Sequence, residues 1–489
     1  MDRHPTPPAG VLGERAMVAT GHPLAAQAAA DVLREGGSAV DAAVAADAVL
    51  GVVEPMATSI GGDLLAMVVP PDGAPLSYNG TGRAPAALDP AQIEALPGRR
   101  IPERHPLSVT VPGAVRGWHD LHRRFGRLPW ARLLEAAIGA AEQGFPVAPV
   151  AAREWRLFEP VLQRDPVCAS LFRAGRVPRA GEVFCNPELA ATLRSIAQDG
   201  PEAYYRGTPA RAAAQAVQAL GGVLAAEDFA VHSGHFCAPV LARFRGLTVL
   251  ECPPNTHGVA VLHALQALED RPLDPEAPDS HVAMVHAMRE ALQHARKTVA
   301  DPAGNTVCTV VVDADGLAIS LMSSVFKRFG SGIAVPGCGF VLQNRGFGFA
   351  APGELNGAAP SRRPYHTVVP GAALKDGRFH AALGVVGGAM QPQGQVQLFV
   401  RTAAWGQPLQ AAIDAPRWRL ESDTALAAEE GVPEAVRAAL RQAGYAEPAG
   451  MGELGGRSDF GGAQMVMRLP DGRLAGGTDP RKDGQALAV

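Results

Sequence analysis

Two hydroxyls frame the question of what this chain could do. Thr306 heads a β-branched, apolar run, Thr306-Val-Cys-Thr-Val-Val-Val312, whose character predicts a strand buried on both faces. Asp313-Ala-Asp-Gly316 supplies a turn, and residues 317–325 read as the return strand. With Asp315-Gly316 as the two-residue turn, Thr306 faces Val325, and a shift of one residue sets Ser324 opposite it. A Thr and a Ser hydroxyl thus meet at the open end of a hairpin. On spacing alone the commoner role for such a pair is an ordinary cross-strand contact. Other familiar constellations are missing: the sequence has no HExxH, no P-loop signature and no complete G-x-S-x-G elbow. His232, His235 and Cys237 have metal-ligand spacing but read as plain surface residues in a loop, so neither a metal nor an organic cofactor is expected.

Several elements must hold that hairpin in place. Pro23 suits the first turn of a helix that ends near Glu35, ahead of Gly36-Gly37. Ser38 with Asp41 resembles a capping box for an Ala-rich helix to about Val52, apolar nearly all round and therefore buried. A turn at residues 58–63 precedes a short strand at 64–69. From Trp130 to Ala300 the pattern is mostly helical, with periodic segments at 133–143, 210–220 and 280–300. Strands are expected at 379–386 and 465–469, with Asp471-Gly472 turning the latter into a final strand. A helix-rich first half and a strand-rich second half predict an α+β fold, helices layered on antiparallel sheets.

Composition narrows the partners. In 489 residues, 44 Lys and Arg face 48 Asp and Glu, a net charge of −4 that gives no basic field for nucleic acid. Apolar residues at 47% are ample for a core, and aromatics at 5% argue against base-stacking modules. The most apolar stretch, 40–55, carries Asp41 and Asp47 and is too short to span a bilayer, and residues 1–21 lack an apolar core of signal-peptide length. Six scattered cysteines with no CxxC pair read as reduced, buried thiols. A cytoplasmic protein with no membrane partner is expected, and an oligomer is possible.

Ordered motifs run through most of the chain. Met17-Val-Ala-Thr-Gly-His-Pro-Leu24, Gly36-Gly-Ser-Ala-Val-Asp-Ala-Ala43, Val53-Glu-Pro55, Ile60-Gly-Gly62, Ser108-Val-Thr-Val-Pro-Gly113 and Gly144-Phe-Pro-Val147 come first. Pro253-Pro254, Phe329-Gly-Ser-Gly332, Gly387-Gly388, Ala415-Pro-Arg-Trp418 and Gly477-Thr-Asp-Pro480 follow. In kind and order these resemble the gamma-glutamyltranspeptidases, a family of N-terminal nucleophile hydrolases. The resemblance implies a four-layer αββα sandwich built as one domain from a helix-rich large chain, 1–305, and a strand-rich small chain, 306–489. It implies self-cleavage between Asn305 and Thr306, Thr306 as nucleophile, Ser324 as the second hydroxyl bonded to it, and the N–H groups of Gly387 and Gly388 as the oxyanion hole. Cleavage would free an α-amine with a reference pKa of about 7.7–8.0, suited to accept the hydroxyl proton. The hydroxyl would then attack a small amide substrate, and water or an amine would resolve the acyl-enzyme.

Departures from the family pattern bear on substrate. In Asn79-Gly-Thr-Gly-Arg-Ala-Pro85, Thr81 stands where the transpeptidases carry the arginine for the substrate carboxylate, and the arginine is displaced to Arg83. The family's acidic partner for the substrate α-amino group falls on Gly348, a neighbouring contact on Arg345, and the tandem serines on His366 and Thr367. The substrate-binding candidates are accordingly Arg83, Phe326, Arg345, His366 and Thr367. A buried ammonium without a carboxylate costs several kcal/mol, so this pocket is expected to disfavour a glutamyl α-amino group. Arg345, if it points inward, would prefer an anionic donor such as a glutaryl or oxalyl amide; a surface arginine is the other reading. Leu342-Gln-Asn-Arg345, Arg363-Pro-Tyr-His366 and Met390-Gln-Pro-Gln-Gly394 resemble the family's acylase-like branch, with its cephalosporin acylases and oxamate amidohydrolases. Only three residues separate Asp301-Pro302 from Thr306, a shorter segment than is usual in the family. Cys308 replaces a His and is expected to be a small buried hydrophobe. The expected activity is that of a self-processing threonine amidohydrolase acting on small acyl amides. True gamma-glutamyl transfer from glutathione, or an uncleaved homologue that binds without turnover, are the competing readings.

Overall fold

The computed structural model describes residues 9–170, 175–299, 305–448 and 457–489. The Asp301-Pro302 segment and Gly304 lie outside the described residues.

Local signals at the N-terminal side act as their residue types predict. Pro23–Arg34 forms a helix, and Ser38 and Asp41 close a reciprocal capping box at the start of the Ala39–Val53 helix. Every residue of the second helix is buried. It lies beneath a seven-stranded sheet whose order is Gln485–Ala488, Met17–Thr20, Asn305–Val312, Ala318–Phe326, Asp63–Val69, Leu76–Asn79, His235–Cys237. A second seven-stranded sheet runs Val11–Gly13, Leu474–Thr478, Gly462–Arg468, Arg378–Val386, Gly371–Lys375, Leu247–Glu251, Val240–Phe244. All pairings in both sheets are antiparallel.

Side-chain alternation then dictates the layers. On the central strand, Val307 and Val311 pack into the cluster shared with the Ala39–Val53 helix, while Cys308, Val310 and Val312 pack between the sheets. A third cluster joins the second sheet to the Gly258–Leu268, Pro278–Thr298 and Met390–Phe399 helices. The result is an αββα sandwich of the α+β class. Residues before and after Thr306 contribute strands to both sheets, so the two stretches interleave.

The central hairpin pairs Val312 with Ala318 and Val307 with Ser323, one residue off the register that a strict Asp315-Gly316 turn would set. A bulge then restores that register, pairing Asn305 with Phe326, so Thr306 faces both Ser324 and Val325. Several strands escaped the sequence reading, which left 130–300 mostly helical. Val240–Phe244 and Leu247–Glu251 form a hairpin around Arg245-Gly246, both at positive φ (52° and 77°). That backbone is usually supplied by Asn-Gly or Asp-Gly, and an Arg-Gly pair gives a weaker turn signal. Leu474–Thr478 is also not the last strand, because Gln485–Ala488 pairs with Met17–Thr20 beyond it.

Candidate active site

The site lies at one end of the sandwich, between the sheets. Thr306 is two residues before Cys308 and shares its inward direction, and Ser324 pairs with Asp63 on the next strand. Thr306, Ser324 and Asp63 therefore form a row across three strands, Asp63 standing roughly 10 Å from Thr306 at two strand spacings. All three are buried.

The second sheet closes the row from the other side. Arg378–Val386 ends in Gly387 and Gly388, at φ +117° and +61°, a backbone that L side chains rarely adopt. Their carbonyls accept from Met390 N and Gln391 N, and among the described residues neither of their own N–H groups makes a hydrogen bond. The next helix begins at Met390 and carries Gln391, whose Nε2 donates to Thr306 Oγ1 at 2.7 Å. The Ser324 hydroxyl accepts from Phe326 N at 2.9 Å.

A second group of side chains surrounds Asp63. Its Oδ1 accepts from Gly82 N and from Gln343 Nε2, each at 2.9 Å. Only glycine fits at 82, where a Cβ would lie 1.5 Å from the Val111 carbonyl oxygen. Asp63 Oδ2 lies 3.4 Å from His366 Nε2 and 3.9 Å from Arg345 Nε, close enough for charge coupling but hydrogen-bonded to neither. The Arg345 guanidinium lies over the Phe326 ring at 4.2 Å, and its Nη1 donates to Thr367 Oγ1 at 3.2 Å. Among the described residues its Nε and Nη2, fully buried, have no hydrogen-bond partner.

Electrostatics follow from burial and these neighbours. Burial alone would raise the Asp63 carboxyl, but His366, Arg345 and Gln343 together hold it below the ordinary carboxylate range. Burial, reinforced by the Arg345 charge, lowers His366 to about 4, so the imidazole is neutral at pH 7. Burial likewise lowers Arg345 to about 9, which leaves it charged at neutrality. The site thus pairs one cation with one anion beside a neutral imidazole.

The structure brings together Thr306, Ser324, Phe326, Arg345, His366, Thr367 and the Gly387–Gly388 turn, with the Asn305 backbone paired to Phe326. Arg83 stands apart: it is exposed, and its Nη1 donates to the Ser361 carbonyl. Arg345 is inside rather than on the surface, and Cys308 packs between the sheets as a buried thiol, whereas Cys185 is exposed. His232 is buried, and His235–Cys237 pairs as an edge strand rather than lying in a surface loop. Sequence reasoning missed Asp63, Gln343 and Gln391. Asp63 had left a trace, as the one charge at the head of an otherwise apolar strand, Asp-Leu-Leu-Ala-Met-Val-Val. Among the described residues no group of three or more His, Cys, Asp or Glu side chains is placed to hold a metal ion.

A four-layer αββα sandwich with such a site at the end of its central hairpin is the architecture of N-terminal nucleophile hydrolases. Comparison with known proteins narrows this further. The sequence model of the gamma-glutamyltranspeptidase family matches residues 25–305 and 295–489, and the chain belongs to that family. An oxamate amidohydrolase proenzyme from Klebsiella pneumoniae is 36% identical over 96% of this chain and 98% of its own. A glutathione hydrolase-like proenzyme from Bacillus subtilis is 31% identical over 98% of this chain and 99% of its own. The crystal structure of a cephalosporin acylase from Bacillus halodurans superposes with a TM-score of 0.93, at 34% identity, covering 100% of this chain and 98% of that one.

Proposed function

We propose that this protein is a self-processing threonine amidohydrolase whose preferred substrates are small amides with a carboxylate on the acyl side. Cleavage between Asn305 and Thr306 yields chains 1–305 and 306–489, which remain one domain because both supply strands to each sheet. The freed amine of Thr306 takes the hydroxyl proton, the oxygen attacks the substrate carbonyl, and the N–H groups of Gly387 and Gly388 receive the developing charge. The amine then protonates the departing nitrogen, and water releases the acid. The relative named an oxamate amidohydrolase proenzyme supports this reading.

The observation that carries the substrate class is Arg345. It is fully buried beside the Thr306 row; Nε lies 3.9 Å from Asp63 Oδ2, and Nε and Nη2, which make no hydrogen bond among the described residues, share one edge of the guanidinium, a fork that matches a carboxylate. A second reading, a gamma-glutamyl donor, has its own support. Asp63 supplies a buried carboxylate that the sequence comparison at Gly348 did not reveal, and its Oδ2 could meet an α-ammonium. That oxygen already faces Arg345 and His366, which favours the first reading.

Hydrolysis of glutaryl and gamma-glutamyl anilides separates the two. The glutaryl compound is expected to have the higher kcat/KM, and a clear preference for the gamma-glutamyl compound would reject the anionic-donor assignment. Arg345→Met should raise KM for the glutaryl compound about 10- to 100-fold, the scale of a lost charge-assisted hydrogen bond. Thr306→Ala should leave a single band on a denaturing gel and no activity; splitting or turnover in that variant would move the nucleophile elsewhere. Six free cysteines among the described residues suit a reducing compartment, which supports action in the cytoplasm; no described helix is long and apolar enough to cross a membrane.

A further inference from the structure

We infer that Gln391 is a further catalytic residue: its side-chain amide donates to the Thr306 oxygen that attacks and later departs, and stabilises charge there in both self-cleavage and turnover. The inference rests on the reading of Thr306 as nucleophile. Nε2 lies 2.7 Å from Thr306 Oγ1, and Val369 N donates to Oε1 at 3.0 Å. A flipped amide would set Nε2 against the Val369 N–H, two donors facing each other, so the backbone fixes which end points at the hydroxyl. Gln391 is fully buried and Thr306 is 2% exposed, so water does not compete freely for this bond.

The helix behind Gln391 is anchored by the same device. The Met390–Phe399 helix carries glutamines at 391, 393, 395 and 397, all buried. Gln395 Nε2 donates to the Val369 carbonyl, so residues one turn apart hold that residue at both its N–H and its C=O. On the opposite face Gln393 donates to the Leu420 carbonyl and accepts from Leu420 N, and Gln397 does the same for Trp418. Rotating Nε2 away from Thr306 would break buried backbone bonds.

Because Gln391 donates, the hydroxyl proton of Thr306 stays available to a base. In self-cleavage Oγ1 bonds to the Asn305 carbonyl carbon and the carbonyl π pair moves to its oxygen. The bond to Thr306 N then breaks, the nitrogen takes the hydroxyl proton, and Asn305 is left esterified to Oγ1. Water hydrolyses that ester, releasing the Asn305 carboxylate and restoring the hydroxyl beside a free amine. In turnover Oγ1 passes its proton to that amine, bonds the substrate acyl carbon, and recovers a proton when water displaces it. Each cycle brings partial negative charge onto Oγ1 as it enters and as it leaves, and a fixed N–H lowers the barrier to both.

Two variants test this. Gln391→Met keeps the length of the side chain and removes the donor; Gln391→Glu keeps the acceptor for Val369 N and replaces the donor with a second acceptor. Self-cleavage is followed on denaturing gels, kcat and KM are measured with a glutaryl anilide, and melting is recorded for each protein. Both variants are expected to slow self-cleavage and kcat about 100-fold with KM nearly unchanged. Wild-type rates in Gln391→Met overturn the inference. So does faster cleavage in Gln391→Glu, which would mean that the oxygen needs a base at this point rather than a donor. If Gln391→Met does not fold, Gln391→Glu decides alone. Thr306→Ala run alongside keeps the two claims apart: turnover in that variant defeats the nucleophile reading, whereas its inactivity beside a wild-type Gln391→Met defeats only this one.

Discussion

Two of the described helices are buried on every side, and they are built of opposite materials. Ala39–Val53 is almost all Ala, Val, Leu and Gly, and its burial is favourable in itself because small apolar side chains leave water. Met390–Phe399 is equally buried yet carries four glutamines, each of which would be costly without partners. Every one of those amides reaches backbone: Val369 on one face, Trp418 and Leu420 on the other. The first helix supports the sheet from behind. The second starts beside the Gly387–Gly388 turn and touches Thr306. Apolar burial sets distance between layers, whereas amide-to-backbone bonds also set rotation and register, which is what a reacting oxygen requires.

The contrast can be broken at several points. Gln397→Leu leaves the buried Trp418 N–H and C=O without their side-chain partner and should lower stability by about 2–6 kcal/mol in urea titrations. A loss below about 1 kcal/mol would mean that the glutamines are passengers. Asp47, on the apolar helix, offers a smaller, pH-dependent effect. Burial raises its carboxyl from 3.8 to about 6, against hydrogen bonds from Ser323 and Trp118 that pull it down. A raised carboxyl binds more protons folded than unfolded, so its contribution is most favourable below pH 4 and is lost as pH rises towards 6 and above. Relative to wild type, Asp47→Asn should therefore gain up to roughly 3 kcal/mol between pH 4 and pH 7. A pH-independent difference in melting would remove the titration. The smallest effect belongs to the cap: Ser38→Ala loses the bond to Asp41 N and should cost about 1 kcal/mol, with no change in self-cleavage.

The two helices also differ in how far they could be read beforehand. Ser38, Asp41 and the alanine run announce the first helix and its burial, and both follow from local propensity and composition. The central hairpin was similarly legible from its β-branched run and Asp-Gly turn, though the bulge that sets Thr306 against both Ser324 and Val325 was not, since it arises from pairing. Alternating glutamines, by contrast, match no periodicity that separates buried from exposed, and the second helix entered the reading only as a family likeness. Arg345 could have been a surface residue or a buried one on sequence alone. Its burial depends on Asp63 and Phe326, which arrive from other strands.

What the sequence determined by itself is the set of elements whose cause is local: capped helices, the hairpin with a threonine at its head, and motifs ordered along the chain. Which side chain faces that threonine was decided only in three dimensions. Gln391 is 85 residues from Thr306 and Gln343 is 280 from Asp63, and hydrogen bonds of a few ångströms between such positions exist only after the layers have closed.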